Sequence, residues 1–291
     1  MRTRSLFLLL VAAIFGLGSH ARAALIASDS FATTAGGDDY PLARLFGQSP
    51  TVGSTGFDGG VPWTNGNATT TVVNQTVMTT GLTHPRITGA ALDGQVSSHS
   101  SEALGQTRNV SREIDYTPTD GTFYMSILMH KFEATLVRDF VAGLTDNETH
   151  ATDLASTSGA FIGIHDGGVS LLANGSFTSL LTAAQMNVDE TYLGVLIIDF
   201  STTGTDTVTA RVFDGGASLV ASATVGGLTL DGNMGRLGIS SRDWGPDVGL
   251  DEFRFGTQLT DVMVVVPEPA TWMLAAMGLL GLGLVGWRRR F

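Results

Sequence analysis

Apolar and β-branched residues alternate with polar ones in short runs through the middle of the chain. The runs cover residues 69–78, 108–116, 122–132, 136–144, 160–165, 192–200, 207–213, 237–241 and 249–256. A period of two is the mark of a strand with one face on a core, because successive side chains leave a strand on opposite sides. Each run has the length of a strand. Turn residues punctuate them, among them Asp166-Gly167-Gly168, Asn174-Gly175, Asp214-Gly215-Gly216 and Asp231-Gly232-Asn233. Such pairs reach the left-handed backbone that a tight hairpin needs. Many short strands joined by short turns predict an all-β, two-sheet antiparallel sandwich. Only residues 179–187, SLLTAAQMN, read as helical, and nine residues are too few to reorganise such a fold.

Both ends depart from this pattern. Residues 1–23 place Arg2 and Arg4 before an apolar stretch over 6–17, then Ala21-Arg22-Ala23 as a small-x-small cleavage site, which predicts a secretory signal peptide. At the other end the 18 residues 270–287 carry no charge. As a helix they would cover about 27 Å, the depth of a bilayer core. Trp272 and Trp287 bracket the run at interface positions, and Arg288, Arg289 and Arg290 stay on the cytoplasmic side. The reading is therefore a single transmembrane helix with the body outside. Its glycines, Gly278, Gly281, Gly283 and Gly286, never fall four apart, so a close helix dimer is not indicated. Immediately before it, Pro267 and Pro269 flank Glu268 and hold the linker 263–269 extended, out of any sheet. That leaves residues 24–262 for the folded body.

Charge narrows the choice of partner. Six of the 16 basic side chains lie in the terminal segments, as does one of the 27 acidic ones, so residues 24–266 hold ten cations against 26 anions. A body this acidic repels phosphate backbones, which excludes nucleic acid. The chain has no cysteine, so disulfides, thiolate catalysis and cysteine-based metal sites are absent and packing must supply the stability. His84, His99, His130, His150 and His165 show no ligand spacing and read as surface or capped polar residues. No cofactor is expected. The cluster Asp146-Asn147-Glu148 with Asp153 has the oxygen chemistry of a structural calcium site but no EF-hand spacing, and a solvated acidic loop accounts for it. Trp63 and Trp244 would stack on sugars if exposed, although aromatics in a sandwich are usually core.

The ordered triple of Val266, Pro267, Glu268 and Pro269, one spanning segment and a terminal arginine cluster resembles the PEP-CTERM sorting signal. The resemblance implies recognition of these four residues by an exosortase-type processing enzyme, an anchored precursor at the inner membrane, and delivery to the cell surface or extracellular matrix. In the body, SDSFATTAGG near the start, TYLGVLIIDFSTTGTDTVTARVFD in the middle and Asp251-Glu252-Phe253-Arg254-Phe255-Gly256 at the end are similar to exported concanavalin A-like (LamG-like) jelly rolls. That implies a jelly-roll sandwich and, with it, a non-enzymatic module that binds extracellular polysaccharide. The alternative is a secreted glycoside hydrolase. Laminarinase-type enzymes carry alternating carboxylates on one strand, and Glu113-Ile114-Asp115 begins such a series, but Thr117 and Pro118 follow and the third carboxylate is missing.

Overall fold

The computed structural model describes residues 25–32, 45, 47–48, 56–57, 61–65, 75–78, 80–88, 95–98, 107–116, 118–132, 139–146, 159–230, 234–242 and 248–264. Fifteen strands form: β1 Leu25–Asp29, β2 Thr64–Asn65, β3 Gln75–Met78, β4 Gln95–Ser98, β5 Thr107–Glu113, β6 Gly121–Lys131, β7 Asp139–Thr145, β8 Gly159–His165, β9 Gly168–Ala173, β10 Ser176–Leu181, β11 Thr191–Phe200, β12 Asp206–Phe213, β13 Leu219–Leu228, β14 Arg236–Arg242 and β15 Val248–Gly256. They build two sheets. The first runs β13-β12-β11-β6-β15-β4-β3, with β1 also on β15, and the second runs β10-β9-β8-β7-β14-β5-β2. Among the described residues every ladder is antiparallel. The chain crosses repeatedly between the sheets, and its first and last strands pair, Ala27 opposite Phe255. This is the all-β, two-sheet arrangement of a jelly-roll sandwich.

Alternation places the core. Phe123, Met125, Ile127 and Met129 of β6 point inward, as do Val208, Ala210 and Val212 of β12, and they meet Phe140, Ala142 and Leu144 of β7 and Ile162 and Ile164 of β8. Ile162 of the second sheet packs against Gly194 of the first, where a Cβ would lie 3.0 Å from Ile162 Cδ1 and 2.9 Å from Cε of Met129 on the neighbouring β6. Trp63 is fully buried against Phe31, their ring centroids 6.0 Å apart, so it is core rather than a sugar platform.

Two hairpins follow the predicted turn chemistry. Asp166 and Gly167 (φ 47° and 77°) join β8 to β9, and Asn174 and Gly175 (φ 44° and 75°) join β9 to β10. The helical reading of 179–187 is corrected. Ser179 and Leu181 pair with Ser170 and Val169 as the end of β10. Beyond β10 the chain makes a single turn, in which Gln185 Oε1 accepts from the backbone N–H and the hydroxyl of Thr182. The described helix is instead α1, Leu259–Val262. Among the described residues no helix is long and apolar enough to cross a membrane. The segments 1–23 and 265–291 lie outside them, together with Ala21, Ala23, Arg288, Arg289 and Arg290.

Candidate functional site

Register across the second sheet defines its outer face. Glu113, Arg236 and Thr145 form one row; Ser111, Gly238, Gly143, Phe161, Leu172 and Phe177 the next; Asn109, Ser240, Val141, Gly163, Ser170 and Ser179 a third. Asp139 and His165 share the last row. Arg236 organises one end. Its Nε donates to Ser111 Oγ (3.1 Å), Nη2 to Thr64 Oγ1 (3.1 Å) and Nη1 to Glu113 Oε2 (3.3 Å), tying β14, β5 and β2 together. The Ser240 hydroxyl bonds Asn109 Oδ1 in the third row. Most of these side chains are buried; Glu113 is exposed beside Arg236, and His165 is half-buried at the other end.

At that end Asp139 Oδ1 meets His165 Nδ1, and Asp166 Oδ2 lies 3.4 Å from His165 Nε2. The imidazole stacks on Phe177 with centroids 3.8 Å apart and planes 7° from parallel. The result is a flat aromatic pair beside two carboxylates. In the sequence His165 reads as an isolated polar residue, because Asp139 and Phe177 come from β7 and β10 and the neighbouring Asp166 reads as part of a turn. The other described histidines, His84 and His130, have polar partners, Thr191 Oγ1 lying 3.1 Å from His130 Nδ1. The N–H of Arg86 donates to His84 Nδ1 (3.1 Å), which makes Nδ1 the acceptor and Nε2 the protonated nitrogen that donates to Asp214 O (2.7 Å). Burial holds His84 below the ordinary histidine pKa, and does the same to His130. His84 thus joins a knot in which Glu190 accepts from Asn187, the Tyr192 hydroxyl and the Gly215 N–H. Burial, followed by the nearby Glu190, pushes the Tyr192 hydroxyl up to about 12.

The hydrolase candidates are not brought together as a series. Glu113 is the last residue of β5 and is engaged by Arg236; Ile114 is buried, and the Asp115 N–H is spent on Gly56 O (2.8 Å) in a bend. The carboxyl pushed well above the usual range is Asp251, chiefly by burial, with Glu252 and Asp29 adding like charge. It lies inside the first sheet, accepting from Leu82 N and Glu252 N (2.7 Å each), and has no access to substrate. Among the described residues no group of three or more His, Asp or Glu is placed to hold a metal. Asp146 is described, whereas Asn147, Glu148 and Asp153 of the calcium candidate are not, nor are His99, His150 and Trp244.

The last of the described residues lie on the outer face of the first sheet. Residues 82–88 and 257–264 cross this face, where Leu82, Ile87, Val262 and Met263 bury Leu128, Leu193, Val195 and Phe213. Ser126 Oγ donates to Val262 O (2.7 Å), and Val264 N donates to Arg86 O (2.6 Å). Val264 is the last tethered residue among those described, three before Pro267.

Residues 265–290 match the family model of the PEP-CTERM protein-sorting motif, which includes Val266, Pro267, Glu268, Pro269 and the three arginines. No curated protein sequence matches the chain. Legume-lectin-like and concanavalin A-like jelly rolls are among its structural neighbours. An endo-β-1,4-glucuronan lyase from the fungus Trichoderma reesei aligns at 12% identity over 69% of this chain and 97% of its own, with a TM-score of 0.42. A legume lectin-like domain from Entamoeba histolytica aligns at 12% identity over 62% and 89%, with a TM-score of 0.36. The exoplasmic/lumenal domain of VIP36 in a Ca2+/Man2-bound form aligns at 13% identity over 84% and 91%, with a TM-score of 0.41.

Proposed function

We propose that this is an exported bacterial cell-surface or extracellular-matrix protein whose jelly-roll body binds polysaccharide and performs no catalysis. The observation that carries the reading is the sorting motif over residues 265–290. In it, an exosortase-type enzyme recognises Val266, Pro267, Glu268 and Pro269 while the apolar segment 270–287 holds the precursor in the inner membrane and Arg288, Arg289 and Arg290 stop its transfer. The amino-terminal segment is removed after the Ala21-Arg22-Ala23 site. Two observations support the non-catalytic part: Glu113 is engaged by Arg236, and β5 ends there, so no line of carboxylates continues along the strand. The polysaccharide contact falls on the His165 and Phe177 pair, whose rings offer an apolar surface beside the exposed Asp166 carboxylate, an acceptor for sugar hydroxyls.

Glu268→Ala leaves an unprocessed, membrane-retained precursor; equal electrophoretic mobility and equal release of variant and wild type would count against the sorting role. Phe177→Ala weakens binding on a glycan array about tenfold, the order of one lost stacking contact. Hydrolysis of laminarin-type glucan that is abolished in Glu113→Gln would instead establish the hydrolase alternative.

A further inference from the structure

Among the described residues four strands end the two sheet orders, with the five-residue β1 a branch on β15, and three of the four are short: β2 has two residues, β3 four and β10 six. The fourth, β13, runs for ten residues, LVASATVGGL, without a charge or a proline. A long free edge presents a row of unpaired N–H and C=O groups, and proteins ordinarily blunt it with charge, proline, a central bulge or a covering segment. Here the bulges fall only at the ends, and the pairing with β12 is regular from Val225 to Ala221. Leu219 at 51% and Val220 at 42% are the most exposed large apolar side chains among the described residues.

We propose that β13 pairs antiparallel with β13 of a second copy of this chain, about a two-fold axis through Ala223, so that the first sheets of two molecules become one. Ala223 is the centre of the regular stretch, where the edge is flat enough to dock. The sequence around it is self-complementary in size. Ala221 falls opposite Val225, Ser222 opposite Thr224, Val220 opposite Gly226 and Leu219 opposite Gly227. Val225 and Ala221, left half-buried at the margin of the core, close against each other across the seam. On the other face the hydroxyl rung from Thr209 Oγ1 to Thr224 Oγ1 (2.8 Å) continues onto Ser222 of the second copy. Charge chooses the same place. Two bodies with a large excess of carboxylates repel, and an edge without charge is where they approach at least cost.

The absence of cysteine makes the test direct. Directly opposed residues of an antiparallel pair lie about 4.5–5.5 Å apart between Cα atoms, within the range of about 4.4–6.8 Å that a disulfide spans. The full chain in mild detergent is expected to have the mass of a dimer, and Ala223→Cys to run at twice the monomer mass after oxidation. Ser179→Cys on β10 is the control and stays at monomer mass. The double variant S222K/T224K puts lysines opposite lysines at exposed positions and returns the full chain to monomer mass with its melting transition intact. A monomeric wild type, an Ala223→Cys thiol that stays free or links to a different protein, cross-linking through Ser179→Cys, or a dimer that survives S222K/T224K each overturns the proposal.

Discussion

His84 is held neutral by geometry, since one ring nitrogen accepts from Arg86 N and the other donates to Asp214 O. Burial lowers its pKa from 6.5 and lowers that of His130 likewise. Below pH 6.5 the unfolded chain binds protons that the folded chain still refuses, so stability rises with pH across that window and is lost on acidification. Thermal melts from about pH 7.5 down to about pH 5.5 are expected to show a falling midpoint. His84→Gln, which keeps a donor toward Asp214 O and cannot titrate, has a shallower slope. Asp251 has the opposite sign. Its raised pKa means that the folded chain keeps a proton the unfolded chain releases near 3.8, a contribution present at low pH and lost as pH rises through the folded value. Both its oxygens accept backbone N–H groups. Asp251→Asn turns one acceptor into a donor against a buried N–H and costs about 1–3 kcal/mol in urea unfolding. Little of this is legible in the sequence. An isolated histidine or aspartate carries no local sign of partners that lie tens of residues away, whereas the Asp-Gly and Asn-Gly turns announce themselves, because their chemistry is confined to two residues.

Strands show where such legibility stops. The nine alternating runs all contain strand residues, since each has one wet or loop-covered face to set against a dry one. β9, GVSLLA, gives no such signal because Ser170 is its one polar side chain and Leu171, Leu172 and Ala173 follow without a break, which leaves no alternation to read. The end of β10 reads as helix because Leu, Ala, Gln and Met favour that state, yet a hairpin turn at Asn174 and Gly175 fixes the pairing of β10 before helix propensity can act. β13 is built from small residues that suggest neither state strongly. Two glycines, one in each sheet, give the element-scale test. A Cβ on Gly143 of β7 would sit 2.0 Å from Ala160 O on β8, a backbone atom that cannot turn aside. The nearest atoms to a Cβ on Gly194 of β11 are side-chain methyls, Met129 Cε at 2.9 Å and Ile162 Cδ1 and Cγ2 at 3.0 and 3.3 Å, which give way more readily than backbone. Gly143→Ala is therefore expected to cost about 3 kcal/mol or more, and Gly194→Ala less than about 1.5 kcal/mol, in urea unfolding. Equal costs would mean that β7 and β8 slide freely past one another.

At the scale of the whole molecule, the folded body and the sorting motif compete for one short piece of chain. The body holds the chain through Val262 O, Val264 N and the burial of Val262 and Met263 on the first sheet. From Val264 to Pro267 the chain is three residues long, and at full extension it reaches about 11 Å. An exosortase-type processing enzyme must enclose Pro267, Glu268 and Pro269 within that reach, or else peel residues 257–264 off the sheet and expose the cluster beneath them. Spacer length then governs the rate. Ten Gly and Ser residues inserted after Val264 are expected to speed conversion of precursor to product in a pulse–chase gel, and deletion of Val265 and Val266 to slow it severalfold, while Glu268→Ala remains blocked in both backgrounds. Ser126→Ala removes one tether from the docked segment and speeds conversion in the unlengthened chain but not in the lengthened one. That interaction between the two changes separates a tether that restrains the motif from a serine that merely stabilises the sheet. Equal rates for the lengthened, shortened and natural spacers would show instead that the enzyme takes the motif without approaching the body.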